Sequence, residues 1–398
     1  MISEQMAELT RSGSAIRAMF EEGGRLAAEF GRENVYDFSL GNPSFPPPDA
    51  VRRAIGDVLN GAESSYAHGY MANAGFPAVR DAVARHLNAL HGTSFTSGNI
   101  IMSAGAAGGL NVVLKTLLNP GDEVIAISPY FVEYGNYVSN YGGKLVVVPA
   151  NRANFQPDPA KLAAAVTPAT KAVILNSPNN PTGVIYTADT IAALSRALEK
   201  RQAELGISVY VLSDEPYREL VYDGSEVPYI TKYYRNTIVC YSWSKSLSLP
   251  GDRIGYVVIP DEIDDYPLIF DAACIATRIL GFVNAPSLTQ LAVARCLNEK
   301  TDIEAYGENR RLLCDGLKSA GFEYVLPQGA FYMWVTAPNG DDAAFAAAAK
   351  KYNILVVPGA SFACPGYARI AYCVSRDVIE RSLPAFEKLA SELGLRKD

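Results

Sequence analysis

The sequence contains few of the residues that metal and disulfide chemistry need. Only three histidines occur among its 398 residues, and its six cysteines are widely spread, with no C-x-x-C pair. The spacing typical of zinc ligands is therefore missing, and so is a dense disulfide pattern. We expect no bound metal, and we expect reduced thiols in a cytoplasmic protein.

The chain also lacks long apolar runs and an excess of positive charge. No run approaches the length of a membrane-spanning helix, and the first residues are charged throughout, so we expect neither a membrane segment nor a signal peptide. The formal net charge is −7, with acidic and basic residues interspersed. This balance argues against nucleic acid or a membrane surface as a partner. The G-x-G-x-x-G fingerprint is missing too, which disfavours a dinucleotide-binding protein.

The apolar residues that are present form alternating segments in the middle of the chain. Seven short apolar runs, among them "DEVIAISP", "KAVILNSP" and "NTIVCYSW", are separated mostly by helix-like stretches. This alternation predicts an α/β fold with a mostly parallel seven-stranded sheet covered by helices on both faces, an α/β/α sandwich. The carboxyl ends of such strands meet at one edge, where chemistry gathers.

The C-terminal part differs from the middle. An amphipathic helix is predicted from about Asp302 to Ala320, followed by short strands and a terminal helix, which is typical of a smaller α+β domain. We therefore predict three parts: an N-terminal arm with part of the small domain (1–40), a large α/β domain (41–300) and a small C-terminal domain (301–398).

Three polar motifs fall at the predicted strand ends. "SAGAAGG" (103–109) suits a phosphate bound by backbone N–H groups, or it is only a tight turn into a helix. "NSPNNPTG" presents Asn180, whose amide could bind a ligand or simply close the turn. "LSDEPY" ends a buried strand with Asp214, whose carboxylate needs a partner, either a cation or a helix N-terminus.

A fourth motif, "YSWSKSLSLPGDRIGYVV", places Lys245 just after a buried strand and Arg253 eight residues later. A solvated surface position is the ordinary interpretation of a single lysine. A desolvated lysine near cations instead has a lowered pKa and becomes a nucleophile that forms Schiff bases with carbonyls. An aldehyde cofactor with a phosphate and a ring nitrogen would use all four motifs together.

These motifs, in this order, resemble those of a known family. The segments "GNP", "SAGAAGGLN", "SPYF", "NSPNNPTG", "DEPY", "SWSKSLSLPGDRIG" and "ARIAY" look like those of class I and II aminotransferases of the aspartate aminotransferase fold, fold type I. The resemblance covers nearly the whole chain. It implies that the large domain binds pyridoxal 5′-phosphate (PLP). It also implies transfer of an amino group from an L-amino acid of the aspartate, alanine or aromatic type to a 2-oxo acid such as 2-oxoglutarate, by a ping-pong cycle through pyridoxamine phosphate.

The resemblance implies catalytic roles for three residues. Lys245 would form the internal aldimine with PLP and later move the proton at the substrate Cα. Asp214 would pair with the pyridinium nitrogen. Tyr217, together with Asn180, would hydrogen-bond the ring oxygen.

It also implies the contacts to the phosphate and to the face of the ring. The phosphate would be held by Gly105, Ala106, Ala107, Ser242 and Arg253. Phe131 matches the aromatic residue that stacks on the ring, with Tyr130 as the near alternative. Many relatives have hydroxyl residues where this chain has alanines, so backbone donors would carry more of the phosphate binding.

On the substrate side, Arg369 matches the arginine that clamps the α-carboxylate, because its planar two-pronged donor fits a carboxylate better than lysine does. Gly41 and Asn42 match the segment that lines this side, beside Asn180. Tyr66 matches a tyrosine that reaches the cofactor phosphate of a neighbouring subunit. The resemblance therefore implies a homodimer with shared active sites.

Specificity and reaction type stay open at this point. Arg278 is the candidate for reading a second substrate carboxylate, but its distance from Asn284 departs from the family pattern. A carbon–sulfur β-lyase of the same fold would use the same lysine and is the first alternative. A non-catalytic PLP-binding regulatory domain is disfavoured because no N-terminal helix-turn-helix module is visible.

Overall fold

The regular structure of the N-terminal part is mainly helical, with one short strand among the residues described there. The computed structural model describes residues 2–12, 15–61 and 64–395. The first elements are α1 (Glu4–Ser12), α2 (Ala15–Phe30), β1 (Tyr36–Asp37), α3 (Asp49–Leu59), α4 (Ser64–His68) and α5 (Pro77–His91). Strand β1 pairs in parallel with Ile354–Leu355, so this part of the chain is joined to the C-terminal part.

The middle of the chain forms the large sheet. Its strands are β2 (Ile100–Ser103), β3 (Glu123–Ser128), β4 (Lys144–Pro149), β5 (Thr170–Asn176), β6 (Tyr210–Asp214), β7 (Thr237–Ser242) and β8 (Gly255–Val258). They lie in the order β2-β8-β7-β6-β5-β3-β4. Strand β8 is antiparallel to β2 and β7, whereas the other pairs are parallel. The prediction of a mostly parallel seven-stranded sheet is confirmed.

Helices cover both faces of this sheet, which explains why its central strands are apolar throughout. The helices are α6 (Gly105–Leu117), α7 (Tyr134–Ser139), α8 (Pro159–Ala165), α9 (Ala188–Leu205), α10 (Trp243–Ser246) and α11 (Leu268–Ile279). Along β5, Ile174 packs into the core beneath α6 and α11, while Val173 and Leu175 pack into the core beneath α8 and α9. Side chains on successive residues of a strand point to opposite faces, so both faces must be apolar.

The C-terminal part builds the smaller α+β unit around a second sheet. Its elements follow α12 (Ser287–Val293), whose Ala292 and Val293 share a core with Val51 of α3 instead. They are α13 (Ile303–Ala320), β9 (Tyr324–Val325), β10 (Tyr332–Thr336), α14 (Asp342–Lys350), β11 (Ile354–Leu355), β12 (Val357–Pro358), β13 (Tyr367–Ala371) and α15 (Arg376–Glu392). The antiparallel order is β12-β13-β10-β9. Leu313 of α13 and Phe386 of α15 share one core with this sheet. The domain limits near residues 40 and 300 stay a prediction.

Short 3₁₀ helices complete the described chain, at Arg32–Asn34, Ser97–Asn99, Ile230–Lys232, Pro338–Gly340 and Gly359–Phe362. In the ranges that the structure describes, no helix combines the length and the apolar character needed to cross a bilayer. Two side chains of the second sheet reach the carboxyl edge of the large one: Tyr332 of β10 lies beside Tyr217, which follows β6, and Arg369 of β13 beside Asn180, which follows β5.

Candidate active site

A cavity of about 520 Å³ opens at the carboxyl edge of the large sheet. That volume is in the usual range of small-molecule sites. The structure brings most of the predicted site residues together in its lining: Gly41, Ala106, Ala107, Phe131, Asn180, Asp214, Tyr217, Ser242, Lys245, Arg253 and Arg369.

Lys245 reaches into this cavity from α10. The helix begins directly after β7, and Ser242 caps it by accepting a hydrogen bond from the backbone N–H of Ser244 at 3.1 Å. The Lys245 Nζ donates to the carbonyl oxygen of Gly41 at 2.6 Å. Burial of the amine lowers the pKa of Lys245 to about 8. A sizeable fraction of the amine is therefore neutral and nucleophilic near physiological pH.

Asp214 ends β6 and is 5% exposed. One of its carboxylate oxygens, Oδ2, accepts a hydrogen bond from the Tyr134 hydroxyl at 2.5 Å, whereas Oδ1 has no partner in the described part of the chain. Burial raises the pKa of Asp214 to about 7. A buried carboxylate oxygen without a donor is costly, and the protonated ring nitrogen of PLP would supply one. This unpartnered oxygen is the observation that makes the site fit PLP.

Gly105 opens α6 beside Arg253, which lines the cavity together with Ala106 and Ala107 of the first helical turn. Gly105 has a φ of +72°, and a Cβ there would lie 2.9 Å from Nη2 of Arg253. Glycine therefore allows the guanidinium to approach the helix N-terminus, where backbone N–H groups lack intrahelical partners. The Ser242 and Ser244 hydroxyls share a hydrogen bond of 2.5 Å in the same lining. Hydroxyls, a guanidinium and a helix N-terminus together suit a phosphate.

Arg369, on β13, also lines the cavity and is 2% exposed. Its guanidinium carbon lies 4.6 Å from the ring centroid of Tyr332 and 4.9 Å from that of Phe362. One Nη donates to Oδ1 of Asn180 at 3.1 Å, the other donates to the Ser39 carbonyl, and Nε has no partner in the described residues. A guanidinium held between two rings with a free donor can receive a substrate carboxylate.

Two residues that the sequence did not mark complete the site. Tyr332 lines the cavity, and its hydroxyl lies 2.9 Å from that of Tyr217. Tyr134 is not among the lining residues, but it donates a hydrogen bond to Asp214, which is. Both stood among many tyrosines in the sequence, and nothing local separates them from packing residues. The position of Tyr332 explains the glycine at residue 41. A Cβ on Gly41 would collide with the Tyr332 hydroxyl, so the structure requires a glycine there.

Four predicted residues are not among those that line the cavity. Asn42 and Arg278 are exposed, and Tyr66 is 47% exposed, with its ring 4.7 Å from that of Phe76. The expected roles of Tyr66 and Arg278 lie toward a neighbouring subunit. All three roles stay predictions. Gly105, the fourth, lies beside Arg253, which does line the cavity.

The fold and the site define a class of protein: an α/β enzyme with a desolvated lysine for carbonyl chemistry and a stacked arginine for a carboxylate. The chain belongs to the family of class I and II aminotransferases, whose family model matches residues 33–386. The resemblance inferred from the motifs is thereby confirmed, and the protein is a transaminase.

Individual relatives agree with this assignment. The chain is 32% identical to the aspartate/prephenate aminotransferase of Thermus thermophilus over 375 residues, which is 91% of this chain and 93% of the relative. It is 30% identical to the aspartate aminotransferase of Pyrococcus horikoshii over 407 residues, covering 97% and 96% of the two chains. Among solved structures, an aminotransferase from Eubacterium rectale superposes with a TM-score of 0.96 at 47% identity, covering 98% of this chain and 99% of that one.

Proposed function

We propose that the protein binds PLP on Lys245 and transfers the amino group of an L-amino acid to a 2-oxo acid such as 2-oxoglutarate in a ping-pong cycle. The observation that carries this proposal is that one cavity holds the desolvated amine of Lys245, the unpartnered oxygen of Asp214 and the stacked guanidinium of Arg369.

Each of these residues has a distinct task. When bound, PLP supplies an electron sink for the negative charge left at the substrate Cα. Lys245 takes the proton from Cα of the donor amino acid and, in the second half of the cycle, delivers a proton to the corresponding carbon of the acceptor, for which an amine with a pKa near 8 is suited. Asp214 holds a proton at the ring nitrogen. Arg369 binds the α-carboxylate and thereby orients the bond that breaks.

The phosphate and the ring oxygen have their own partners. The phosphate would be held by the first turn of α6 and by the side chains of Ser242 and Arg253, with Phe131 against the ring. Tyr217 and Asn180 would hydrogen-bond the ring oxygen. As donor we propose an L-amino acid of the aspartate, alanine or aromatic type. Support for the first comes from the relatives named aspartate aminotransferase and aspartate/prephenate aminotransferase.

The alternatives lose support because every relative reported above is named an aminotransferase. The proposed activity and the β-lyase reaction also differ in one assay. With an L-amino acid and no 2-oxo acid, a transaminase stops after half a turnover, whereas a β-lyase keeps releasing ammonia.

We also propose a homodimer in the cytoplasm, with Tyr66 and Arg278 facing the partner's site. Its support is an apolar surface on the helix that carries Arg278: Leu268, Ile275 and Ile279 are 70%, 50% and 58% exposed. The six cysteines are free, as a reducing compartment requires. Sedimentation at micromolar concentration tests the assembly, and a monomer there would contradict it.

Borohydride reduction of the PLP-loaded protein, followed by peptide mass mapping, tests the central claim. We expect the cofactor label on Lys245 in the wild type and none at that position in Lys245→Ala. Lys232→Ala is the matched control and should keep the label. A label on another lysine, or none at all in the wild type, would refute the proposed function.

A further inference from the structure

Asp214 accepts a hydrogen bond from a residue that is not among those lining the cavity and that has no role in the reaction proposed above. Tyr134, the first residue of α7, is 1% exposed and donates its hydroxyl hydrogen bond to Oδ2 of Asp214 at 2.5 Å. The other oxygen, Oδ1, has no partner in the described residues, although Asp214 lines the cavity. The two carboxylate oxygens are therefore unequal: one is bonded and the other is free.

We propose that Tyr134 is a positioning residue, which binds Oδ2 of Asp214 so that an ionised Oδ1 is presented to a protonated ring nitrogen in the cavity. The inference rests on the proposed binding of PLP. A short hydrogen bond to a carboxylate stabilises its charged form and fixes its orientation. Asp214 would otherwise lie buried with no donor on either oxygen.

The groups around Asp214 explain why such a donor is needed. Burial is the main cause that raises the pKa of Asp214, the Tyr134 hydrogen bond opposes it, and the charge of Glu215 raises the pKa further. Four other titratable groups facing Asp214 have pKa values raised mainly by burial and further by its charge: Tyr134, Tyr137, Tyr217 and Cys240. They stay neutral at physiological pH, so within this set the Tyr134 hydrogen bond is what favours the ionised carboxylate.

Tyr134 is itself held rigidly, as a positioning role requires. Its ring packs edge-on against Phe131, with centroids 5.7 Å apart, and stacks on Tyr130 at 6.1 Å. Its backbone N–H donates to the Phe131 carbonyl at 3.1 Å. One short turn therefore carries both the aromatic side chain predicted to cover the cofactor ring and the hydroxyl that orients the partner of the ring nitrogen.

The test compares two cofactors in the full-length protein. The first is PLP, and the second is an analogue in which a C–H group replaces the ring nitrogen. For Tyr134→Phe we expect the Kd of PLP to rise about tenfold or more, the usual effect of losing a hydrogen bond to a charged group. The Kd of the analogue should not change, because the analogue offers Asp214 no ring nitrogen. Absorbance titration of the bound chromophore measures both constants without reference to activity.

Tyr234→Phe is the matched control. Tyr234 is 3% exposed and donates to the Val209 carbonyl at 2.7 Å, in the core beneath α8 and α9, so its loss should not change the ratio of the two Kd values. If Tyr134→Phe does not fold, Tyr134→His, which keeps a donor, is measured instead and should retain the wild-type ratio.

Equal weakening of both cofactors in the phenylalanine variant, or a changed ratio in the histidine variant, would overturn the positioning role. So would unchanged binding of PLP to Tyr134→Phe. Failure of the proposed function would look different, since the unsubstituted protein would then acquire no borohydride label on Lys245.

Discussion

Replacing Gly41 by alanine should destabilise the protein through a single contact. A Cβ at this position would collide with Oη of Tyr332 and would lie 2.8 Å from its Cζ. Tyr332 cannot yield, because it is 2% exposed and its hydroxyl is bonded to that of Tyr217 at 2.9 Å. Overpacking of this kind costs about 1–3 kcal/mol. We therefore expect a lower midpoint of urea unfolding for Gly41→Ala.

The same substitution should also disturb the site. The Gly41 carbonyl accepts the hydrogen bond from Lys245, so a displaced backbone moves the lysine's partner. We expect weaker binding of PLP, measured by absorbance of the bound chromophore. Adding Tyr332→Phe removes the atom that collides most closely and should recover part of both losses.

Gly56→Ala is the matched control for this prediction. Gly56 lies inside α3, and a Cβ there would meet nothing within 4 Å. Alanine should therefore stabilise the protein by about 0.5–1 kcal/mol through helix propensity and reduced chain entropy. A Gly41→Ala variant as stable as Gly56→Ala would refute the crowding argument.

Two further predictions concern the charged groups of the cavity. Arg369→Lys should lower kcat/KM about a hundredfold, because a lysine cannot replace the two-pronged, stacked guanidinium. Arg52→Lys is the control: the Arg52 side chain is 82% exposed, and this substitution should leave kcat/KM unchanged. Equal rates for Arg369→Lys and wild type in steady-state kinetics would contradict the clamp. In the protein freed of cofactor, acylation of Lys245 should increase with pH to a midpoint near 8, because the amine loses its proton above its lowered pKa. Peptide mass spectrometry measures the label, and a midpoint near the ordinary lysine value of about 10.4 would show that the amine is solvated.

The fold was predictable because its signals are local. Ile174 lies between Val173 and Leu175, and their opposite faces are both buried, so the strand reads as a continuous apolar run. Such runs, separated by helical segments, leave few arrangements other than a helix-covered parallel sheet. The domain limits were harder to predict from the sequence, because the N-terminal arm pairs through β1 with a strand more than 300 residues later in the chain.

The candidate site, too, could be predicted from the sequence only in part. Asp214 and Lys245 stand out in the sequence because each lies at or just after the end of a buried strand, where an unpaired charge is costly. Tyr134 and Tyr332 carry no such mark. Their hydroxyls act on partners 80 and 115 residues away, which no local pattern reveals.

The sequence by itself determined the strand and helix segments and the charged residues at the strand ends, since both follow from the spacing of apolar and polar side chains along the chain. Only the tertiary structure decided what surrounds those charges. Tyr134 takes one oxygen of Asp214 and leaves the other free, and Tyr332 fills the space above Gly41 beside Arg369. Such contacts depend on how distant segments pack, and that packing is a property of the whole fold.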